Sequence, residues 1–470
     1  MKGPVPYAFD EPVVSHLDLL ISLDRSQPSL RVQIEEQLRA GVREGRLAPG
    51  TSLPSSRGLA RELGLSRGVV VEAYAQLAAE GYLVSRQGGQ TRVAPMAARQ
   101  APQDSRLPDP RPPRFDFRPG GPDVSLFPRA AWLASIRRAL RDAPDSRLDY
   151  GDPRGAPELR QALASYLGRV RGVAADPEYV VVTSGMAQGM ALFGRALVAG
   201  GGRRIAVEDP WSAPGRRQLE STGLDTVPVP VDEDGVRVDA LAAERADAVA
   251  VTPAHQFPLG MVLSAERRFA LVDWAARTGA FVLEDDYDAE YRYDRQPVGA
   301  VQGLAPELVA YAGSISKTLA PGLRIGWMVA PGRLVDAVAS AKLFDDLGTP
   351  VVEQLALADF LERGELDRHL RRTRAVYRAR RDALVAALGR WLPDCTVGGV
   401  AAGLHLLIEL PDGMNEVGAL TAARAAGIGL YGLGEHTVRP RAAALLLGYG
   451  RIAEPAIEPG VRALRDSLAP

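Results

Sequence analysis

Five short apolar runs, each ending in polar or glycine-rich residues, constrain this chain more than any other feature: YVVVTSG, RIAVEDP, AVAVTPAH, AFVLEDDYD and LVAYAGSISK. Helical stretches such as MAQGMALFGRALVAG and AERRFALVDWAARTG lie between several of them. A strand that alternates apolar and polar residues has one wet face, whereas a strand that is apolar throughout must be covered on both. Strands of the second kind alternating with helices specify an α/β domain, a parallel sheet between two helical layers. Such sheets bind ligands at the C-terminal ends of their strands, where these runs place their polar clusters. After about residue 350 the pattern changes to a long Arg-rich helix, HLRRTRAVYRARRDALVAALGRWL, and a small α+β unit with GLHLLIEL and AAALLLGYG as strands.

At 470 residues the chain exceeds one ordinary core, and 46% hydrophobic with 24% charged residues is the balance of a globular protein. The expected division is a compact N-terminal unit over residues 1–94, a Pro- and Arg-rich linker over 95–116 and an α/β domain over 117–470. The last has a large part to about 345 and a small part from about 350. No run of about twenty uncharged apolar residues exists to span a bilayer, and the start has no apolar signal core, so a cytoplasmic location is expected. A single cysteine, Cys395, excludes an internal disulfide and a cysteine zinc site, and no metal is expected. Net charge is −1, so any nucleic-acid binding must come from a local basic region.

The N-terminal unit supplies one. RVQIEEQLRAGVREGRL places Val32, Ile34, Leu38 and Val42 on one helical face, RGLARELG ends on Gly64, and RGVVVEAYAQLAAEG follows after a tight turn. YLVSRQGGQTRVAP then reads as a hairpin turning at Gly88-Gly89. Two helices on a short turn followed by a hairpin make a winged helix-turn-helix, whose second helix presents its N-terminal end to the major groove. That end carries Ser66, Arg67 and Gly68, a hydroxyl and a guanidinium for phosphate or a guanine edge and a residue permitting close backbone approach. Arg57 opens the preceding helix, where free amides and the guanidinium can clamp a phosphate. Topology alone equally fits a three-helix domain with solvated arginines. The elements LPSSR, LGLSRG and AEGYL, in that order and spacing, resemble the DNA-binding domain of the GntR family. The resemblance implies DNA contacts at Arg57, Arg67 and the wing residue Gly88. Val69 and Val70 stand where that family usually carries Thr.

The strongest chemical signal is GSISKTLAPGLRIGW, residues 313–327. Lys317 after a buried strand can form a Schiff base, while Ser314, Ser316 and Arg324 can hold a phosphate. EDDYDAEY follows the AFVL run, so a carboxylate emerges at a strand end: Asp285 in the best register, Asp286 otherwise. Such a group keeps a cofactor's pyridine nitrogen protonated, and Tyr287 can donate to its ring oxygen. TSGMAQG opens a helix after a strand, so the amides of Gly185, Met186 and Ala187 can bind phosphate with the helix dipole. Singly, an acidic strand end is often a solvated loop and a lone tyrosine is often packing.

Together these elements make the region from about Phe117 resemble fold type I aminotransferases. The whole chain is similar to the MocR/GabR subfamily of GntR regulators, also through TPAHQFPLG and the linker. The resemblance implies pyridoxal 5'-phosphate (PLP) on Lys317, with Asp285 at the pyridine nitrogen, Tyr287 at the ring hydroxyl, and Ser314, Arg324 and the turn 185–187 at the phosphate. It also implies a homodimer with DNA-binding domains swapped head to tail. Two departures bear on function. VEDPWSAPG replaces a VEDPGYPG-like element, making Trp211 the expected ring stacker, one position early, with Ser212 in the usual place. AAALLLGYG carries Leu445, Leu446 and Leu447 where aminotransferases have an Arg for the substrate carboxylate, and Arg216 is a weak substitute. His255 and His405 lie in shared motifs, as pocket or structural histidines. The leading expectation is a DNA-binding regulator that senses PLP or a small amine. The alternatives are a working aminotransferase with an appended DNA reader, and a degenerate fold used only for dimerisation.

Overall fold

Helix Leu30–Arg43 starts where the Ser29 hydroxyl accepts the Val32 N–H, and helix Ser56–Leu63 starts where Ser55 does the same for Gly58 at 3.1 Å. Gly64 closes the second helix in the left-handed region (φ 63°), which lets the chain turn at once into helix Arg67–Ala79. Leu83–Val84 and Arg92–Val93 then pair antiparallel. Ile34, Leu38, Val42, Leu59, Val70 and Leu77 close one core with Leu83 and Val93 of the hairpin, whereas Val32 is only half buried. This is the winged helix-turn-helix that the periodicity implies.

The structure, a computed structural model, describes residues 21–27, 29–85, 90–95, 112–288, 290–293 and 298–468. The chain divides into two units, residues 1–111 and 112–470. The wing tip with Gly88 lies outside the described residues.

The second unit is built on an eight-stranded sheet in the order 180–183, 326–329, 309–314, 281–286, 248–251, 204–209, 225–232, 235–236. The five strands from 309–314 to 225–232 are mutually parallel. Their two faces are covered as expected, by Met186–Ala199 and Gly332–Asp346 on one side and by Ala265–Thr278 on the other. The sheet is nevertheless mixed, because Gly326–Val329 runs antiparallel to both neighbours. Only residues 315–325 separate it from the preceding strand, and a parallel return needs a crossover of about a dozen residues or more. The small C-terminal part carries an antiparallel sheet in the order 396–398, 405–409, 444–448, 431–432.

The linker ends earlier than expected. Phe115–Asp116 is a strand paired in parallel with Ile428–Gly429, and Phe115 and Phe117 are buried in the largest core cluster. The alternation Phe-Asp-Phe directs both rings to one face of an extended segment. This pairing carries the chain past Gly448, whose N–H donates to the Phe117 carbonyl, and into the loop Pro119–Gly121. Among the described residues no helix is long and apolar enough to cross a membrane.

Candidate cofactor site and DNA-reading face

Strand alternation decides which acidic residue faces the site. In Phe281–Asp286, Leu283 packs into the cluster beneath Met186–Ala199, so Asp285, two residues on, points the same way. Glu284 and Asp286 face the other side. Glu284 accepts the N–H groups of Val301 and Gln302, and Asp286 is bound by Arg171 at 2.7 Å and by the Tyr311 hydroxyl at 2.6 Å. The second-choice residue is therefore consumed by a buried ion pair.

Asp285 lines a cavity of about 510 Å³ together with Tyr287, Ser314, Ser316, Lys317, Arg324, Met186 and Ala187. Three segments that read as separate strand ends, 186–187, 285–287 and 314–317, thus open into one space with Arg324. The Lys317 amine donates to the Gly120 carbonyl, and the Arg324 guanidinium donates to the Ser184 carbonyl, beside the first turn of helix Met186–Ala199. Gly185 caps that helix at φ 91°, and a side chain there would meet Arg324 at 2.8 Å. A guanidinium held against a helix N-terminus is an anion site by charge and by donor direction.

Burial sets the electrostatics. It pushes the Asp285 carboxyl up to about 8, with Asp286 and Asp288 adding repulsion and Lys317 opposing it. It also holds the Lys317 amine below its ordinary value, against the pull of Asp288 and Asp285. Near pH 7 Asp285 carries a proton. Tyr287 is driven well above its ordinary value, again by burial, so it is a hydrogen-bond donor. Its hydroxyl lies 2.9 Å from His255 Nδ1, which is 3.1 Å from both carboxylate oxygens of Asp288. His255 thus stands behind the cavity wall. His405 lines the cavity, is held neutral by burial that lowers it to about 4, and reaches the Pro258 carbonyl at 3.3 Å.

Trp211 does not line the cavity. It is 1% exposed, packs with Met190 and Leu219, and its indole sits 3.1 Å from where a Gly215 side chain would be. The expected stacker is a core residue, because the extra residue in VEDPWSAPG turns the indole under helix Ala213–Glu220 and brings Ser212 to the cavity. Phe257 supplies an aromatic ring to the lining instead, packed edge-on against His436 at 5.1 Å. Arg216 is not in the lining either, whereas Arg451 is, a residue that sequence reasoning missed. Its only signal is its place just after the strand Ala444–Gly448.

The residues fit PLP on an observation independent of likeness. Asp285 Oδ1 is buried with no hydrogen-bond partner, an acceptor left open on the cavity side of the strand. An unpartnered buried carboxyl oxygen costs roughly 1–3 kcal/mol, and a pyridine N–H would satisfy it.

In the N-terminal unit, Arg57, Ser66, Arg67 and Gly68 are all exposed. Ser66 caps helix Arg67–Ala79 by position only, making no side-chain capping bond.

The family model for aminotransferase class I and II matches residues 124–423, and that for bacterial regulatory proteins of the gntR family matches 30–93. PdxR of Corynebacterium glutamicum, an HTH-type pyridoxine biosynthesis transcriptional regulator, is 37% identical over 83% of this chain and 86% of its own length. MocR of Rhizobium meliloti, a probable rhizopine catabolism regulatory protein, is 33% identical over 96% of both. The chain belongs to the MocR/GabR subfamily of GntR transcription regulators. The body of this MocR-type regulator superposes on an archaeal alanine:glyoxylate aminotransferase at TM-score 0.69 and 28% identity, covering 75% of this chain and 90% of that one. LysN of Thermus thermophilus, an α-aminoadipate aminotransferase solved with N-(5'-phosphopyridoxyl)-L-leucine, matches at 0.68 and 28%, over 75% and 92%.

Proposed function

We propose that this MocR-type regulator binds operator DNA through its N-terminal unit and senses PLP, or a small amine reacting with it, in the aminotransferase-like cavity. The observation that carries the sensing half is the convergence of Lys317, Asp285 and Arg324 on one cavity in which Asp285 Oδ1 has no partner. Bound PLP supplies an aldehyde that condenses with primary amines and a pyridine ring that withdraws electrons. The protein's part is placement. Arg324, Ser314 and the first turn of helix Met186–Ala199 hold the phosphate, with Ser316 beside them. Asp285, protonated near pH 7, would face the ring nitrogen and supply the proton it needs, and the Tyr287 hydroxyl would donate to the ring oxygen. The Lys317 amine, kept neutral more easily by burial, is the nucleophile.

Coupling to DNA starts at the same lysine. Its hydrogen bond to Gly120 ties the cavity to segment 112–121, which leads back to the linker. A ligand that captures Lys317 breaks this bond and shifts the balance between states of different operator affinity, provided that its own affinity differs between the two states. Arg57, Arg67, Ser66, Gly68 and the wing residue Gly88 are the proposed DNA contacts. A homodimer with exchanged DNA-binding units is proposed, and the exposed Tyr150, Leu148, Phe344 and Leu347 give the second unit apolar surface for pairing.

Absorbance tests this reading. A band at about 400–430 nm after PLP addition, lost in Lys317→Ala, is expected; added PLP or amine must then change operator affinity in a gel-shift titration. A featureless spectrum, or operator binding indifferent to every ligand that moves the band, overturns it. A second reading, residual transamination, is favoured by the full set Lys317, Asp285 and Tyr287 in one cavity; keto-acid release on amine addition would establish it.

A further inference from the structure

The Tyr287 hydroxyl is proposed to donate to the ring oxygen of PLP, yet it also lies 2.9 Å from His255 Nδ1, a buried nitrogen that could take the same proton. A hydroxyl has one proton to give. We infer that Asp288, acting through His255, holds the Tyr287 hydroxyl as a donor towards the cavity, so that His255 and Asp288 are positioning residues for the proton at the ring oxygen. This deepens the proposed function and rests on its PLP site.

The first support is stereochemical. Both Asp288 carboxylate oxygens lie 3.1 Å from His255 Nδ1, and among the described residues this nitrogen is the hydrogen-bond partner of that carboxylate. A carboxylate offers only acceptors, so Nδ1 must carry a hydrogen to face it. A nitrogen that carries a hydrogen cannot accept another. Tyr287 is then left with one role towards His255, that of an acceptor through its oxygen, and its own O–H turns to the cavity that its side chain lines. Remove the carboxylate and nothing keeps the hydrogen on Nδ1, which is then free to draw the Tyr287 proton backwards.

The second support is the packing that holds the pair. His255 follows strand Ala248–Val251 and Asp288 follows strand Phe281–Asp286, so the two side chains meet beyond neighbouring parallel strand ends. Both are 3% exposed. Gly403 of the small C-terminal part closes over them, and a side chain there would collide with the His255 ring and with Asp288 Oδ2. Its carbonyl accepts the Tyr293 hydroxyl at 2.8 Å and the Tyr449 hydroxyl at 2.6 Å, which fixes this cover. The other titratable groups facing the pair and Tyr287 are Asp285, Glu208, Lys317, His405 and Tyr449. Lys317 feels the Asp288 charge directly, so a test must separate charge from proton direction.

The full-length PLP-loaded protein provides that separation, with the pH midpoint of its absorbance band as readout. A donor at the ring oxygen favours the deprotonated form of the chromophore, in which that oxygen carries more negative charge, and so lowers the midpoint. Tyr287→Phe should raise it by roughly one to two pH units. Asp288→Asn and His255→Leu are each measured alone and combined with Tyr287→Phe. In the combined variants only charge and packing remain to be felt, whereas alone each should place the midpoint at least about half a unit higher than that effect predicts. Equal shifts with and without the tyrosine hydroxyl, for both substitutions, overturn the inference. Either substitution suffices for the comparison if the other fails to fold. If Tyr287→Phe itself leaves the midpoint in place, the assignment of Tyr287 to the ring oxygen falls and the inference falls with it, an outcome distinct from equal shifts.

Discussion

Replacing Asp285 by Asn should stabilise the cofactor-free protein and weaken PLP binding, with both effects traceable to one buried proton. Burial raises the Asp285 carboxyl from 3.8 to about 8. Because its folded value lies above its unfolded one, the stability contributed by the neutral form is intact below about pH 4. It is lost progressively as pH rises towards 8 and is flat beyond. About four pH units at 1.36 kcal/mol each set a ceiling of ~6 kcal/mol on that loss, and water entry and local relaxation bring the expected value to ~2–4 kcal/mol. Asn keeps the neutral shape at every pH. The variant should therefore melt with the native protein near pH 4–5 and above it at pH 8, by ~3–6 °C for a unit of this size. Thermal melts of the cofactor-free proteins at half-unit pH steps read this directly. With PLP bound the order reverses, because Asn cannot keep the pyridine nitrogen protonated; affinity should fall ~10- to 100-fold by titration of the 400–430 nm band. Parallel melting curves from pH 5 to 8 would refute the raised carboxyl. Unchanged PLP affinity would refute its placement at the ring nitrogen.

Three further outcomes follow from the same structure. Arg171→Met removes the partner of Asp286 inside the protein, where both side chains are at most 3% exposed; a loss of about 3–5 kcal/mol in chemical denaturation is expected, partly recovered by adding Asp286→Asn. Trp211→Phe should lower stability by roughly 1–3 kcal/mol while leaving the absorbance maximum in place, since Trp211 is core; a shifted maximum would return it to the cofactor site. Arg67→Ala should weaken operator binding and reduce the slope of log affinity against log salt by about 1, measured by fluorescence anisotropy from 50 to 200 mM salt.

The proposed role of Lys317 as nucleophile, beside its bond to Gly120, gives a reason why a catalytic set would suit a sensor. The proposed nucleophile is also bonded to the Gly120 carbonyl, at the end of a segment that strand pairing and two buried rings already fix. An enzyme's full chemistry is not required for that, only an amine whose partner changes on binding.

Much of this protein is legible in its residue order, for reasons of period and of local chemistry. Apolar runs ending in polar clusters specify a covered sheet with its ligands at the strand ends, and alternation along 281–286 selects Asp285 over Asp286. Helix caps at Ser55 and Gly64 and the turn before Arg67 mark the DNA reader from a few adjacent residues. Period says which side of an element faces inward, and it says nothing about which distant loop arrives there. Tertiary structure alone brought Arg451 to the cavity: strand Ala444–Gly448 docks beside Phe117, and that sets the residue after Gly450 against the loop Gly120–Gly121, some 330 positions earlier. Tertiary packing likewise sent Trp211 into the core under helix Ala213–Glu220, where apolar volume was needed, and left Ser212 at the rim. It also turned Gly326–Val329 against its neighbours, since a short connection leaves no room for a parallel return. Contacts between residues far apart in the chain depend on how whole elements pack, and no local pattern of residues records that.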